Sequence, residues 1–88
     1  MTRRGYEIRL AASAASTLRK LPLAIRERIG RAIDGLADNP FPPGMRKLKG
    51  EERTYRIRVG DYRVIYDVLH EAVVVLVLRI GHRKDIYR

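Results

Sequence analysis

Three arginines lie in two neighbouring strand-like runs, where they could together bind a phosphate group. In the first run Arg56 and Arg58 alternate with apolar residues, so their side chains share one face of a strand. A Gly-Asp pair then forms a turn, and the second run carries Arg63. The predicted β-hairpin over residues 54–68 places Arg63 beside the other two if its register permits. Because a planar guanidinium suits phosphate or carboxylate, this face is a candidate anion site.

Basic residues just before the hairpin form a second candidate for nucleic-acid binding. Residues 45–53 lead directly into the hairpin and carry Arg46, Lys47 and Lys49 as candidate backbone-binding side chains.

Near the C-terminus, His82 is of the residue type that most often exchanges protons near neutral pH. The alternative, which strand alternation favours, is a strand-end histidine directed at the core or at solvent.

The charge of the chain restricts the class of its partners. Against 10 Asp and Glu stand 19 Lys and Arg, so the 88 residues carry a formal charge of +9. This charge favours RNA, DNA or an acidic protein as partner, with a basic surface kept for solubility as the alternative. The sequence shows neither a secretion signal nor an apolar run long enough to cross a bilayer, so we expect a cytoplasmic protein without a membrane partner.

The residue types that usually bind metals are scarce in this sequence. The chain has no cysteine, and its two histidines are far apart and lack an acidic cluster nearby. A glycine-rich phosphate loop and a serine nucleophile motif are also missing. We therefore expect neither a metal site nor a cofactor.

Two helices are predicted before the hairpin. Residues 6–10 alternate as a first strand, and the small residues that follow favour a helix with Ser13 as its candidate N-cap. A Leu-Pro step then separates this helix from a second one, whose apolar residues recur at helical spacing from Ile25 to Leu36. We interpret the charged face of the second helix as solvent-exposed surface, which is the usual role of such a face.

A final strand and a short tail complete the predicted fold. Residues 72–80 form a nearly unbroken apolar run that suits a buried strand, and residues 81–88 form a short polar tail. The sequence thus predicts one α+β domain over residues 1–88. It contains one amino-terminal strand, a two-helix hairpin and a three-strand antiparallel meander that completes one sheet, with the helices on one face.

The order and spacing of these segments resemble a known superfamily. The helix end at DNP, the KLKG loop, the hairpin YRIRVGDYRVIYDV and the ending VLRIGHRKDIYR are together similar to the RelE/ParE superfamily of bacterial and archaeal toxins. The segments GDYRVIYDV and GHRKDIY resemble the RelE branch, whose members are ribosome-dependent messenger-RNA endonucleases paired with antitoxins. The resemblance covers nearly the whole chain and implies a RelE-like fold.

The resemblance also implies a set of site residues. The positions that match the family pattern are Arg56, Arg58, Arg63, Arg83 and Tyr87. In well-known members the first two of these positions are lysines. Since arginine stays protonated and is a poor proton donor or acceptor, this difference leaves the general acid and base unassigned.

The implied reaction is RNA cleavage by attack of a 2′-OH on the neighbouring phosphate, which yields a 2′,3′-cyclic phosphate. Arg58, Arg63 and Arg83 are expected to hold the phosphoryl oxygens, and Tyr87 to stack on a base or assist proton transfer. The alternatives are surface or interprotein ion pairs for the arginines and packing on the sheet for the tyrosine. The residues expected to contact RNA outside the reacting centre are Arg46, Lys47, Lys49, Arg56 and His82.

The leading hypothesis is the toxin of a type II toxin-antitoxin system that cuts messenger RNA in the ribosomal decoding site. Its expected partners are a cognate antitoxin, the ribosome with messenger RNA, and operator DNA only through the antitoxin complex. Two alternatives remain open. One is a ParE-like toxin that binds and poisons DNA gyrase without nuclease activity, and the other is an inactive member that only binds its antitoxin and assists repression.

Overall fold

A five-stranded sheet and two helices make up the part of the chain that the computed structural model describes, residues 5–82. The elements are β1 (Glu7–Leu10), α1 (Ala12–Lys20), α2 (Leu23–Gly35), β2 (Arg46–Lys47), β3 (Thr54–Val59), β4 (Tyr62–Leu69) and β5 (Val74–His82). The strand order is β1-β5-β4-β3-β2. Strand β1 runs parallel to β5, and the other neighbours are antiparallel. The predicted α+β class and the β3–β4–β5 meander are confirmed.

The hairpin between β3 and β4 forms where the sequence predicts it. Val59 pairs with Tyr62, so the turn contains only the two residues between them. Gly60 has a φ of 61°, and a two-residue hairpin with glycine at its first central position matches the type II′ requirement. The turn therefore fixes the register in which Arg58 lies opposite Arg63.

Both helices lie on one face of the sheet because their apolar residues recur at helical spacing. Ala14 of α1 and Ile29 and Ile33 of α2 are buried in the main core. Helix α1 ends at Lys20, and its C-cap Leu21 has the extended backbone expected of a residue before proline. The core continues on the sheet with Ile57, Val64, Tyr66, Val68, Val75, Val77 and Ile80.

A β-bulge in the β4–β5 ladder changes which residues of β5 face the helices. Ile65 pairs with Arg79, but Tyr66 pairs with Val77, so Leu78 is an extra residue. In a regular strand Val77 and Arg79 would face the same way. The bulge instead keeps Val77 on the core side and turns Arg79 to the opposite face.

Three local predictions differ from the structure. Helix α1 begins at Ala12 with Ala11 as its N-cap, so the prediction of Ser13 as cap is wrong. The Ser13 hydroxyl donates a hydrogen bond of 3.2 Å to the Leu78 carbonyl, because α1 packs on β5. Strand β2 interrupts the predicted loop before the hairpin, since two of its residues pair with β3. Strand β5 extends into the predicted tail, because His82 still pairs with Tyr62 of β4.

Among residues 5–82, none of the helices has the length and apolarity that crossing a membrane requires.

The turn between β4 and β5 contains a strained residue. Val73 has a φ of 55°, in the left-handed region that a β-branched side chain rarely adopts. Its side chain is 45% exposed, so it contributes little burial in return. The backbone there is held on both sides, because the Val73 amide donates to the His70 carbonyl and the Val73 carbonyl accepts from the Glu7 amide.

We predict that Val73→Gly stabilises the protein. The left-handed conformation costs an L-residue about 1–2 kcal/mol, and the extra chain entropy of glycine offsets roughly 0.5–1 kcal/mol of that gain. The free energy of unfolding, measured by urea denaturation, should rise by up to about 1 kcal/mol. Ala72→Gly in the same turn is the matched control and should lower stability, because Ala72 does not have a positive φ. Equal destabilisation by both variants would show that Val73 is not strained.

Candidate functional site

The sheet carries a group of arginines on the face opposite the helices, which we call the arginine face. Its members are Arg56 and Arg58 on β3, Arg63 on β4 and Arg79 on β5. The ladder gives their positions, since residues paired across neighbouring strands share a face. Arg58 pairs directly with Arg63. Ile65 pairs with Arg56 on one side and with Arg79 on the other, so these two arginines lie on the same face.

The Arg58–Arg63 pair is the centre of this face. In a hairpin with a two-residue turn, the pair that closes the turn is hydrogen-bonded and the next pair, here Arg58 with Arg63, is not. In such a non-hydrogen-bonded pair the Cα atoms lie about 4.5 Å apart and the side chains are close. Like charges directly opposite each other destabilise a sheet. Two guanidiniums this close together form a candidate site for an anion, because both can donate hydrogen bonds to one phosphate or carboxylate group.

The two central arginines differ in exposure. Arg58 is exposed, whereas Arg63 is only 6% exposed. A partly desolvated guanidinium interacts more strongly with an anion than one surrounded by water. Gly81, which has no side chain, lies opposite Arg63 on β5. The arrangement thus combines a buried inner cation with an exposed outer one.

Arg79 belongs to this face, although the sequence analysis did not include it among the candidate residues. It lies inside an apolar run that has no alternation, so the sequence gives no indication of its direction. The bulge at Leu78 is what turns it to the arginine face.

Among the described residues, the carboxylate of Asp67 borders the arginine face. Asp67 pairs with Thr54 across β3 and β4, and the Thr54 hydroxyl donates a hydrogen bond of 2.5 Å to its Oδ1. This bond fixes the carboxylate two residues along β4 from Ile65, the strand partner of Arg56. The face therefore changes from cationic near the hairpin turn to mixed charge at its other end.

A groove of about 590 Å³ adjoins the arginine face. Its lining includes residues of α2, of the loop before β2, and of β2, β3 and β4, namely Arg31, Ala32, Gly35, Asn39, Pro42, Pro43, Gly44, Arg46, Arg56, Ile57, Arg58 and Arg63. Within the described residues, β2 pairs only with Tyr55 and Arg56, so the outer edge of β3 from Ile57 onward lacks a neighbouring strand. The groove follows this open edge from the arginine face toward α2.

A buried tyrosine holds the loop that forms one wall of the groove. The Tyr66 hydroxyl donates a hydrogen bond of 2.7 Å to the carbonyl of Pro40. Tyr55 stacks on the Tyr66 ring at 6.0 Å between centroids, and Phe41 packs edge-on against Tyr55 at 5.2 Å. Burial, with a smaller contribution from Tyr55, raises the pKa of Tyr66 from 10.0 to about 12.

Among the other predicted residues, Arg46 lies beside the arginine face because it pairs with Arg56, whereas His82 does not. His82 pairs with Tyr62 and makes an edge-on ring contact with it at 5.4 Å, on the helix side of the sheet. Lys47 and Lys49 are exposed and do not line the groove, whereas their neighbour Arg46 does. RNA contacts of all four of these residues stay predictions.

Two predicted site residues, Arg83 and Tyr87, lie outside the described part of the chain. Within residues 5–82, no group of three His, Cys, Asp or Glu side chains is arranged to hold a metal ion.

Comparison with known proteins identifies the class to which this fold and site belong. The family described as ParE toxin of type II toxin-antitoxin system, parDE, matches residues 8–87. The chain is a member of this toxin family, within the RelE/ParE superfamily and its RelE-like branch. The resemblance inferred from the sequence is thereby confirmed.

Individual relatives and solved structures agree with this assignment. Toxin RelG of Mycobacterium tuberculosis is 33% identical over 84 residues, which cover 94% of this chain and 97% of that protein. The mRNA interferase toxin RelE of Escherichia coli K12 is 32% identical over 68 residues, covering 75% of this chain and 70% of that protein. The archaeal RelE–RelB complex from Pyrococcus horikoshii contains a chain that superposes with a TM-score of 0.80 at 32% identity, covering 90% of this chain and 96% of that one.

Alkaline pH tests the environment of Tyr66. An unfolded tyrosine ionises near pH 10.0 but the folded one only near 12, so the stability conferred by the neutral hydroxyl is complete below pH 10. It is lost as the pH rises through 12, by up to about 2.7 kcal/mol. Tyr66→Phe should remove this part of the pH dependence and lower stability at pH 7 by about 1–2 kcal/mol, since the Pro40 carbonyl loses its donor.

The measurement is urea denaturation of both proteins between pH 8 and about 11, within the range where tyrosine ionises. Subtracting the two curves cancels the titration of lysines, which the variants share. Parallel curves across this range would contradict the assignment of a raised pKa to Tyr66.

Proposed function

We propose that this toxin is an endoribonuclease that cuts messenger RNA in the ribosomal decoding site and so stops translation. The observation that carries the proposal is the direct pairing of Arg58 with Arg63 on a face that also holds Arg56 and Arg79. The name of the Escherichia coli relative, mRNA interferase toxin RelE, supports the same activity. The proposed substrate places the protein in the cytoplasm, with the ribosome and messenger RNA as its partners.

The arginine pair suits the charge change in RNA cleavage. Attack of the 2′-OH on the adjacent phosphorus forms a P–O bond and gives a pentacovalent phosphate with added negative charge. Breaking the bond to the 5′-oxygen, which takes up a proton, leaves a 2′,3′-cyclic phosphate and a 5′-OH end. Arg58 and Arg63 would hold the phosphoryl oxygens as this charge develops, without needing to reorganise. The proposal requires neither a metal ion nor a cofactor.

The proton transfers are assigned to groups other than these arginines. A guanidinium keeps its protons near neutral pH, so the arginine face contributes charge and geometry rather than acid–base chemistry. In the proposal Arg83 joins the clamp and Tyr87 stacks on a base or assists a proton transfer. Positioning by the ribosome would supply much of the remaining rate enhancement.

A cognate antitoxin is the proposed protein partner. The solved RelE-type structures from Pyrococcus horikoshii and Mycobacterium tuberculosis are complexes with an antitoxin. An acidic segment of such a partner would be complementary to the arginine face and would silence the toxin by covering it. We further propose that operator DNA is bound only through the toxin–antitoxin complex.

We predict that Arg58→Ala and Arg63→Gln each reduce cleavage of message in a translating extract by about 100-fold or more, the usual effect of removing one oxyanion-stabilising group. Cleavage is mapped by primer extension, and the new end is tested for a 2′,3′-cyclic phosphate. Arg19→Ala at the exposed end of α1 is the control and should cut like the unmodified toxin. Thermal melting of each variant separates loss of chemistry from loss of fold.

Other outcomes would identify a different activity. Intact message together with DNA damage after expression would favour the gyrase-poisoning alternative. Intact message without growth arrest would favour a member that only binds its antitoxin. Equal cleavage by the arginine variants and the unmodified toxin would remove the arginine face from the reaction.

A further inference from the structure

We propose that the groove along the open edge of β3 binds the phosphate backbone of single-stranded RNA on one side of the scissile bond. This inference rests on the proposed function, because it extends the same site. It adds Arg31 of α2 to the substrate-binding residues and gives Arg46 a defined position. RNA would pass from the Arg58–Arg63 pair along β3 toward α2.

The charge of the groove is the first argument. Among residues 5–82, its lining contains five arginines and neither an aspartate nor a glutamate. A guanidinium can bind two phosphate oxygens at once, which makes arginine the residue of choice for phosphate recognition. The groove volume of about 590 Å³ also exceeds what a single phosphate group needs.

Continuity with the proposed reacting centre is the second argument. Arg58 and Arg63 line the groove together with Arg31 and Arg46, so a polyanion held by the central pair has a cationic path leading away from it. Arg46 pairs with Arg56 across β2 and β3, at the usual strand separation of about 5 Å. The cationic path therefore leads from β3 to Arg46 on the edge strand β2 and from there to Arg31 on α2.

The residue types that line the groove favour RNA over an acidic peptide. A peptide that binds by its side chains normally anchors aromatic or large aliphatic groups in apolar pockets. In the part of the chain that the structure describes, the apolar lining consists of Ala32, Ile57 and two prolines, without an aromatic residue. A phosphate backbone needs no such anchor and obtains its affinity from cations. The wall that faces α2 is held in place by the Tyr66–Pro40 hydrogen bond.

The test compares two double variants of the full chain that each remove two cations. Arg31→Ala with Arg46→Ala alters the groove, whereas Arg19→Ala with Lys20→Ala alters the exposed last turn of α1. Binding is measured by fluorescence anisotropy with oligonucleotides that carry 2′-O-methyl groups throughout. Since the methyl group blocks the attacking hydroxyl, these RNAs bind without being cut.

The groove variant should bind a hexanucleotide about tenfold more weakly at 0.1 M salt, and the slope of log affinity against log salt should become shallower by about 1.4 for two lost phosphate contacts. The helix variant should match the unmodified protein. A dinucleotide, which spans only the central pair, should bind all three proteins alike. Equal weakening of hexanucleotide binding by the two double variants, or no weakening by either, would overturn the inference.

Two further readouts separate this inference from the proposed function. Normal RNA affinity of the groove variant alongside loss of cleavage by Arg58→Ala would refute the groove and leave the endonuclease intact. Weak RNA affinity of the groove variant, in a protein that cuts no message, would support the groove and refute the endonuclease. Tighter binding of a glutamate-rich peptide than of the hexanucleotide, lost only in the groove variant, would identify the groove as a protein-binding site instead.

Discussion

The apposition of Arg58 and Arg63 across one hairpin is the constraint on which the rest of the account depends. Two guanidiniums opposite each other repel, so the sheet must hold them in place by other interactions. The two-residue turn through Gly60 fixes the register, and Ile57 and Val64 anchor the reverse side of the same strands in the core. The hydrophobic packing beneath the hairpin thus opposes the repulsion above it.

The division of the sheet into two faces extends this arrangement to the neighbouring strands. Helices α1 and α2 cover one face with apolar contacts, and the other face is left to the arginines. The bulge at Leu78 brings a fourth arginine, Arg79, to that face while Ile80 remains in the core. The short strand β2 leaves most of the β3 edge open, and this opening allows the groove to connect the arginine face with α2.

Local sequence signals predicted most of this fold, because the relevant physics is local. The Gly-Asp turn, together with the alternation of Arg56 and Arg58 with apolar residues, was sufficient to place the hairpin and its charged face. The Leu-Pro step and the apolar spacing did the same for the two helices. These features depend on the conformation of a few neighbouring residues, which the sequence states directly.

The features that the sequence analysis missed depend on contacts between distant segments. Arg31 is exposed, as predicted for the charged face of α2, but its position in the groove follows only from the packing of α2 beside β3. Arg79 lies in an unbroken apolar run, and its direction follows from a register shift in the ladder with β4. His82 was included among the residues expected to contact RNA, but the extension of β5 places it on the helix side of the sheet, away from the arginine face.

The central claim is that Arg58 and Arg63 act as one unit on the reacting phosphate. A double-mutant cycle of Arg58→Ala and Arg63→Gln, measured by single-turnover cleavage of message on the ribosome, tests it most directly. Groups that share one transition state are strongly non-additive, so the double variant should lose about as much rate as the more damaging single variant. Rate losses that simply multiply in the double variant would contradict the claim, because they would show that the two arginines act independently.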